Sequence, residues 1–447
     1  MIPADHDTIA AIATAPGLGG IGIVRVSGDL AGRITERICG RVPDPRRAQL
    51  SVFRGGDGRI LDEGLALWFP APQSYTGEAV LELHGHGGPV VLQSVLSACL
   101  DAGARVAGPG EFTRRAYLNG RLDLAQAEAV ADLIEAATSD AARGALRSLS
   151  GEFSSAVGAL VTQLTELRTL IEAMLDFPEE DIDATHREAA RTRLLRVSEA
   201  LEAVHQRSRQ GSLLRSGINV VLAGKPNVGK SSLLNRLTGE DRAIVTPVPG
   251  TTRDVLRELI QIEGVPLHII DTAGLRDSND EIERIGMERT WREVARADVV
   301  LVLFDAVDGS TLDDQAILAR LPPGAVRIHV YNKIDLVGLA PARIEDEPVA
   351  IRLSAKTGEG VDLLRAALLH AAGWRGDGET VFLARERHLR ALSLAGGHLA
   401  TAGARLEHWE LFAEELRLAQ LALGEIVGEF SADDLLGEIF SRFCIGK

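Results

Sequence analysis

Eight consecutive residues, Gly224-Lys225-Pro226-Asn227-Val228-Gly229-Lys230-Ser231, spell the pattern G-x-x-x-x-G-K-[ST]. Glycines in such a loop let successive backbone N–H groups turn inward and cradle phosphates. The lysine reaches the outer phosphates and the hydroxyl meets magnesium. Lys230 and Ser231 take those two roles here. Asn227, Val228 and Gly229 belong to the cradle, and Ser232 is next in line. An apolar run at 218–222 precedes the loop and an apolar helical pattern follows it, which is the context the motif requires.

Asp271-Thr272-Ala273-Gly274 follows a second apolar run. Its aspartate can hold magnesium through water, and the Gly274 N–H can meet a γ-phosphate. Asn332-Lys333-Ile334-Asp335 ends a further run. A carboxylate at Asp335 can accept hydrogen bonds from two adjacent N–H groups of guanine. Adenine lacks that pair, and a buried polar group left unpaired costs ~1–3 kcal/mol. Lys333 would lie along the base and Asn332 would brace neighbouring loops. Ser354-Ala355-Lys356 offers a backbone N–H to the guanine carbonyl. In this order the four motifs imply GTP binding and hydrolysis.

Thr246-Pro247-Val248-Pro249-Gly250-Thr251-Thr252-Arg253-Asp254 lies between the first two motifs and reads as a switch loop. Thr252 is its best candidate for a second magnesium hydroxyl. Many small GTPases carry a water-orienting Gln directly after the second motif, but here the position is Leu275. The attacking water must therefore be held otherwise. The Asn227 side-chain oxygen, with switch-loop carbonyls, could cage a monovalent cation. The run Asp280-Glu281-Ile282-Glu283 offers acids to the water, although such a run read alone is a solvated segment.

These residues need a parallel sheet behind them. Residues 215–372 alternate strand-like and helix-like runs, which implies crossover connections. Before them, Leu160, Leu164, Leu167, Ile171 and Leu175 step at helical spacing. A break at Phe177-Pro178 follows, then a second run carries Leu194, Val197, Leu201 and Val204. The helical period returns after residue 373, with Leu416, Ala419, Leu423 and Ile426 on one face. We infer one helical domain (119–214 and 373–447) with the nucleotide domain (215–372) inserted. It is preceded by a mixed strand-and-helix domain (1–118). At roughly 150 residues per domain, 447 residues accommodate this plan.

Composition narrows the class. The net charge of −15 argues against a generic charge-driven nucleic-acid binder. Residues 1–118 are nearly balanced, with 11 Arg against 12 acids, so a local arginine patch stays open. Only five of the 48 basic residues are Lys. Four of them (Lys225, Lys230, Lys333 and Lys356) fall in nucleotide motifs, and the fifth is Lys447. Cys39, Cys99 and Cys444 show no spacing for a zinc site or a disulfide framework. No apolar run approaches the ~18 residues of a membrane span, and the N-terminus does not read as a secretory signal. A cytoplasmic protein with no membrane association is expected.

The chain strongly resembles the tRNA-modification GTPase family known as MnmE or TrmE. The resemblance rests on Gly19-Gly20-Ile21-Gly22-Ile23-Val24-Arg25-Val26-Ser27-Gly28, Tyr75-Thr76-Gly77-Glu78, Gly85-His86-Gly87-Gly88 and Gly110-Glu111-Phe112-Thr113. It continues through Leu122 to Ala129, Asp176 to Asp181, the GTPase motifs and the ending Phe443-Cys444-Ile445-Gly446-Lys447. It implies a folate-binding α+β N-terminal domain and a helical domain interrupted by a Ras-like P-loop GTPase domain. It also implies a homodimer through the N-terminal domains, with GTP-dependent docking of the GTPase domains. Asn227, Thr246, Val248 and Thr251 would contact potassium, Ser231 and Thr252 would hold magnesium, and Glu283 would be the catalytic acid. A tetrahydrofolate derivative (5,10-methylene- or 5-formyl-) would meet Arg25, Glu82, Arg121 and Lys447. Position 121 is Lys in some relatives. Cys444 matches the family's C-terminal cysteine. The family works with a flavoprotein, MnmG (GidA), to add a carboxymethylaminomethyl-type group at C5 of the wobble uridine of certain tRNAs.

Read without that resemblance, Arg25 is a surface strand arginine, Glu82 its solvated partner and Arg114-Arg115 a solvated pair, with RNA contact as the alternative. Gly17-Leu18-Gly19-Gly20-Ile21-Gly22 spells G-x-G-x-x-G but opens a strand-like run, so it is not a dinucleotide fingerprint. His84 and His86 lack a third nearby ligand for a metal. The rival functional reading is a regulatory GTPase of the ribosome-assembly type.

Overall fold

The computed structural model describes residues 7–176, 184–240, 257–271, 295, 297–309, 318–319, 324–376, 381–428, 433–441 and 443–446. Two compact units emerge. The first comprises residues 1–131, 157–165 and 417–447, the second residues 132–156 and 166–416.

The first unit is built on six strands: β1 (Ile9–Ile12), β2 (Gly19–Ser27), β3 (Gln49–Arg54), β4 (Ile60–Phe69), β5 (Val80–Gly87) and β6 (Arg105–Val106). Their order is β3-β4-β5-β2-β1-β6, antiparallel except between β1 and β6. Side chains alternate faces along a strand, and this rule sorts the sheet. Val24, Val26, Leu81 and Leu83 point to one face. They pack against Ile34 and Ile38 of α1 (Ala31–Cys39) and Leu92, Val95 and Cys99 of α2 (Pro89–Asp101). Ile9 and Ala11 point the other way and meet Phe112 of α3 (Glu111–Leu118). Arg25, between Val24 and Val26, therefore projects to the α3 side. The glycine-rich segment runs into β2, which pairs antiparallel with β5, as the sequence reading requires.

Helix α4 (Leu124–Glu135) and the C-terminal helix packed on it, Asp433–Ser441, also belong largely to this unit. Leu124, Ala127 and Ala131 pack with Leu436, Ile439, Phe440 and Phe443. Cys39 and Cys99, 60 positions apart, are close enough in the fold to influence each other. Burial pushes both thiols up to about 12, whereas Cys444 is exposed.

The second unit holds a seven-stranded sheet: β7 (Ile218–Gly224), β8 (Arg257–Ile262), β9 (Val265–Asp271), β10 (Val299–Asp305), β11 (Val326–Asn332), β12 (Ala342–Ile344) and β13 (Ala350–Arg352). The order is β12-β13-β11-β10-β7-β9-β8. The five inner strands are parallel, and β8 and β12 pair antiparallel at the edges. A sheet covered on both faces needs apolar side chains on both. Val299 to Phe304 is accordingly buried at every position. Its odd and even residues fall in separate apolar clusters.

Three further helices of this unit are α5 (Ser139–Leu149), the long α7 (Ala184–Ser216) and a helix at Glu386–Ala404. Between α4 and α7 the chain also forms α5 and α6 (Glu152–Asp176). Leu160, Leu164, Leu167 and Ile171 are buried on α6, and Leu194, Val197, Leu201 and Val204 on α7. Leu175 is half-buried, and the expected Phe177-Pro178 break lies outside the described residues. Segment 381–385 threads close to α5 and α7 at two glycines. A Cβ on Gly211 would come 1.9 Å from the Phe382 carbonyl oxygen, and one on Gly144 would come 2.9 Å from Leu383. Phe153 stacks on Phe382 at 4.8 Å between ring centroids. The buried Asp132 accepts from Arg215 Nε at 2.8 Å and Arg385 Nη2 at 2.7 Å. No helix among the described residues is long and apolar enough to cross a membrane.

Candidate nucleotide site and a second, N-terminal site

The motifs converge because parallel strands end on one edge of the sheet. Central β7 ends at Gly224, and the loop after it opens helix α8 (Lys230–Glu240). β9 ends at Asp271, whose backbone pairs with Leu222, and β11 ends at Asn332. The loop backbone has the form a phosphate cradle needs. Asn227 adopts φ +62°, Gly229 φ +101° and Gly224 φ +151°, conformations in which successive amides turn to one side. Lys230 is buried, and its ammonium donates to the carbonyls of Gly224 (2.7 Å) and Lys225 (2.9 Å). Asn227, Ser231 and Ser232 are exposed and Val228 is buried.

Asn332 joins the loop at 224–231 to the loop at 354–356. Its buried amide Nδ2 donates to the Val228 carbonyl at 2.8 Å, and its Oδ1 accepts from the Ala355 N–H at 2.9 Å. Gly229 is required beside it, because a Cβ there would lie 2.2 Å from Asn332 Nδ2. The brace expected from sequence is thus a direct bridge. Ser354 Oγ donates to Asp335 Oδ1 at 2.7 Å and accepts from the Thr357 N–H. Lys333, at φ +69°, donates its ammonium to Asp305 Oδ2 at 2.7 Å. Burial raises the Asp305 carboxyl, but Lys333 and the Val307 N–H outweigh it and hold the group below the usual carboxylate range.

Two contributors escaped the sequence reading. Asp305 ends β10 on the same sheet edge, a position that was available as a clue. Arg236 of α8 donates to the Lys356 carbonyl at 2.7 Å and the Ala355 carbonyl at 3.4 Å, bracing the last motif from below. No local pattern pointed to it. Thr246, Pro247, Val248, Pro249, Gly250, Thr251, Thr252, Thr272, Ala273, Gly274 and Glu283 lie outside the described residues, as does the Asp271 side chain.

On the open face of the N-terminal sheet, the β2–β5 register sets Arg25 opposite Glu82. Arg25 Nε donates to Glu82 Oε1 at 2.9 Å, and His84 Nε2 lies 3.2 Å from Glu82 Oε2. The Arg25 guanidinium sits 5.4 Å from the Tyr75 ring centroid and 5.7 Å from that of Phe112. This corrects the surface reading: the Arg25 and Glu82 side chains are only 19% and 17% exposed. Arg25 Nη1 also reaches the Gly446 carbonyl at 3.4 Å. The C-terminal tail is held there because Ile445 bridges Pro109 and the Gly110 N–H donates to the Cys444 carbonyl. Arg121 is exposed near Gly77, and Lys447 is outside the described residues.

Arg115 is a second correction. It is no solvated cation: its side chain is 6% exposed and pairs with Asp7 (2.7 Å), Glu111 (3.0 Å) and Glu78 (3.1 Å). His86 pairs with Asp62 at 2.7 Å. Among the described residues no group of three or more His, Cys, Asp or Glu side chains is placed to hold a metal ion.

A phosphate cradle on the central parallel strand, bridged by one asparagine to a carboxylate-bearing base loop, defines a P-loop GTPase. The family model for the TrmE N-terminus, a GTP-binding protein, matches residues 8–121, and that for the MnmE helical domain matches residues 124–444. The tRNA modification GTPase MnmE of an Azoarcus species is 63% identical, covering 100% of this chain and 99% of its own. That of Dechloromonas aromatica is 61% identical, with 99% of each chain covered. The chain belongs to the tRNA modification GTPase MnmE family. Among solved structures, the G domain of the T. maritima FeoB iron transporter aligns with 35% of this chain and 98% of its own, at 25% identity and a TM-score of 0.26.

Proposed function

We propose that this protein is a potassium-activated GTPase that works as a homodimer with a flavoprotein partner, MnmG (GidA). Together they install an aminomethyl-type group at C5 of the wobble uridine of certain tRNAs, in the cytoplasm. The single observation that carries the nucleotide half is the Asn332 bridge between Val228 and Ala355. It makes the triphosphate loop and the base loop one rigid frame. In that frame Lys230 is poised to leave the loop carbonyls for phosphate oxygens. Asp335, with one oxygen steadied by Ser354, accepts from guanine.

Ser231 and Thr252 are the magnesium hydroxyls. Asn227, with Thr246, Val248 and Thr251, is the potassium set, and the left-handed turn at Asn227 exposes its side chain beside the cradle. Potassium supplies a positive charge to the developing phosphate charge when bound. Glu283 positions the attacking water.

Arg25, Glu82, Arg121 and Lys447 are the residues we assign to a tetrahydrofolate one-carbon donor. The half-buried Arg25–Glu82 pair beside the rings of Tyr75 and Phe112 suits that assignment. A carboxylate there can accept from the amidine-like edge of a pterin, and flat rings can flank it. Domain limits of 1–118, 119–214, 215–372 and 373–447 accord with this division of labour.

The test is GTP turnover in potassium and in sodium for the wild type, Asn227→Ala and Glu283→Ala. Potassium should exceed sodium by tenfold or more, roughly the loss of one good electrostatic contact. Asn227→Ala should erase that difference. Glu283→Ala should lower turnover about 100-fold while GTP is still bound. Equal turnover in both cations, with a silent Asn227→Ala, would sink the cation cage. A silent Glu283→Ala would remove that residue from the chemistry.

A further inference from the structure

The arginines of the N-terminal unit are not evenly spread. Residues 33–59 hold seven arginines against three acids, Glu36, Asp44 and Asp57. That is +4 in a chain of net −15, so the rest of the protein carries −19. All seven arginines are exposed. They sit on consecutive segments along one side of the sheet: α1, its connection to β3, the edge strand β3 itself and the turn into β4.

The segments are close in space. The Arg37 guanidinium lies against Gly56 of the turn. Beside it an open groove of about 960 Å³ is lined by Arg37, Gly56, Gln93, Ser94, Ser97 and Asp101. Arg59 pairs with exposed Asp57 and Arg54 donates to the Gly58 carbonyl. Arg33, Arg41 and Arg47 have no carboxylate partner among the described residues. The one aromatic residue of the stretch, Phe53, is fully buried, so the surface offers charge and no base-stacking platform.

Unpaired guanidinium groups without stacking rings match phosphate groups, not base edges. We propose that this arginine edge docks the phosphodiester backbone of the tRNA, holding it by charge and without reading its sequence. The proposal rests on the tRNA reading above. Arginines on an edge strand also discourage sheet-to-sheet aggregation, but that role would leave RNA affinity untouched.

The test measures retention of unmodified tRNA by the full-length protein across a salt series. It compares the wild type with the triple variants R33Q/R41Q/R47Q and R33K/R41K/R47K. Each lost phosphate contact lowers the slope of log affinity against log salt by roughly 0.7–0.9. The glutamine variant should bind at least about tenfold more weakly, with a slope reduced by about 2–3. The lysine variant should keep most of both, because an ammonium still meets phosphate as a point charge. GTP turnover should be unchanged in both. A glutamine variant with wild-type affinity and slope overturns the docking surface and leaves the tRNA reading standing. A wild-type protein that retains no tRNA even at low salt overturns both.

Discussion

Asp335 has one carboxylate oxygen occupied by the Ser354 hydroxyl and is exposed on the short turn Ile334–Leu336, which buried Ile334 anchors. A serine that donates to it fixes its orientation and leaves the second oxygen and remaining lone pairs for the guanine edge in the proposed site. Asp335→Asn keeps the shape and replaces an acceptor with a donor. Hydrogen bonds to a charged group contribute about 1.5–3 kcal/mol. GDP affinity should therefore fall roughly 10- to 150-fold, while affinity for xanthosine diphosphate, which presents an acceptor at that edge, should rise. Competition binding with the two nucleotides checks this, and unchanged guanine preference would remove Asp335 from base recognition.

At the scale of elements, close approach explains two glycines that no motif demanded or fully explained. Gly229 at φ +101° is both a cradle residue and the space for the Asn332 amide. Gly229→Ala strains the backbone by about 1–3 kcal/mol and displaces the bridge. Nucleotide off-rates should rise tenfold or more, read by stopped-flow release of a labelled GDP, and the melting temperature should fall by several degrees. Gly211 sits mid-helix with ordinary dihedrals, where alanine is favoured by propensity. Its Cβ would nevertheless strike the Phe382 carbonyl. Gly211→Ala should therefore destabilise by about 1–3 kcal/mol instead of stabilising. A raised denaturation midpoint for this variant would show that segment 381–385 does not pack where described.

The helices and strands behind these sites were largely legible, because each buries one face and the apolar spacing records it. Leu194, Val197, Leu201 and Val204 on α7 illustrate this. The burial of Arg115 was not legible. Adjacent arginines in a sequence carry no record of Asp7, 108 positions away, which accepts from one of them.

At the scale of the whole molecule, paired acids set a pH limit. The Asp7 carboxyl is held below the usual range chiefly by its hydrogen bond from Arg105, with Arg115 assisting against burial. Burial raises Glu111, but Arg105, the Gly108 N–H and Arg115 bring it below its ordinary value. A carboxyl that is more acidic folded than unfolded stabilises the fold fully above its unfolded pKa. That stabilisation is lost as the pH falls through the folded value. Stability should thus be level from pH 7 to about 5 and decline below about 4. Urea midpoints across that range provide the measurement. Glu111→Gln should cost about 3 kcal/mol at pH 7, because it leaves buried Arg115 under-compensated. The variant should also show a shallower acid decline, and a decline as steep as the wild type would place the acid-sensitive groups elsewhere.

The sequence by itself determined the nucleotide chemistry. Phosphates are gripped by consecutive backbone amides, so the residues that do it must be neighbours in the chain and appear as a motif. The strand ends that gather the remaining motifs follow from the alternation of strand and helix. Only the tertiary structure decided the N-terminal site. Arg25, Glu82, His84 and the Gly446 carbonyl meet through strand register and a docked tail, with 421 positions separating the furthest pair. Register depends on which side chains the other face buries against α1 and α2. It is a property of the packed sheet and not of any one segment.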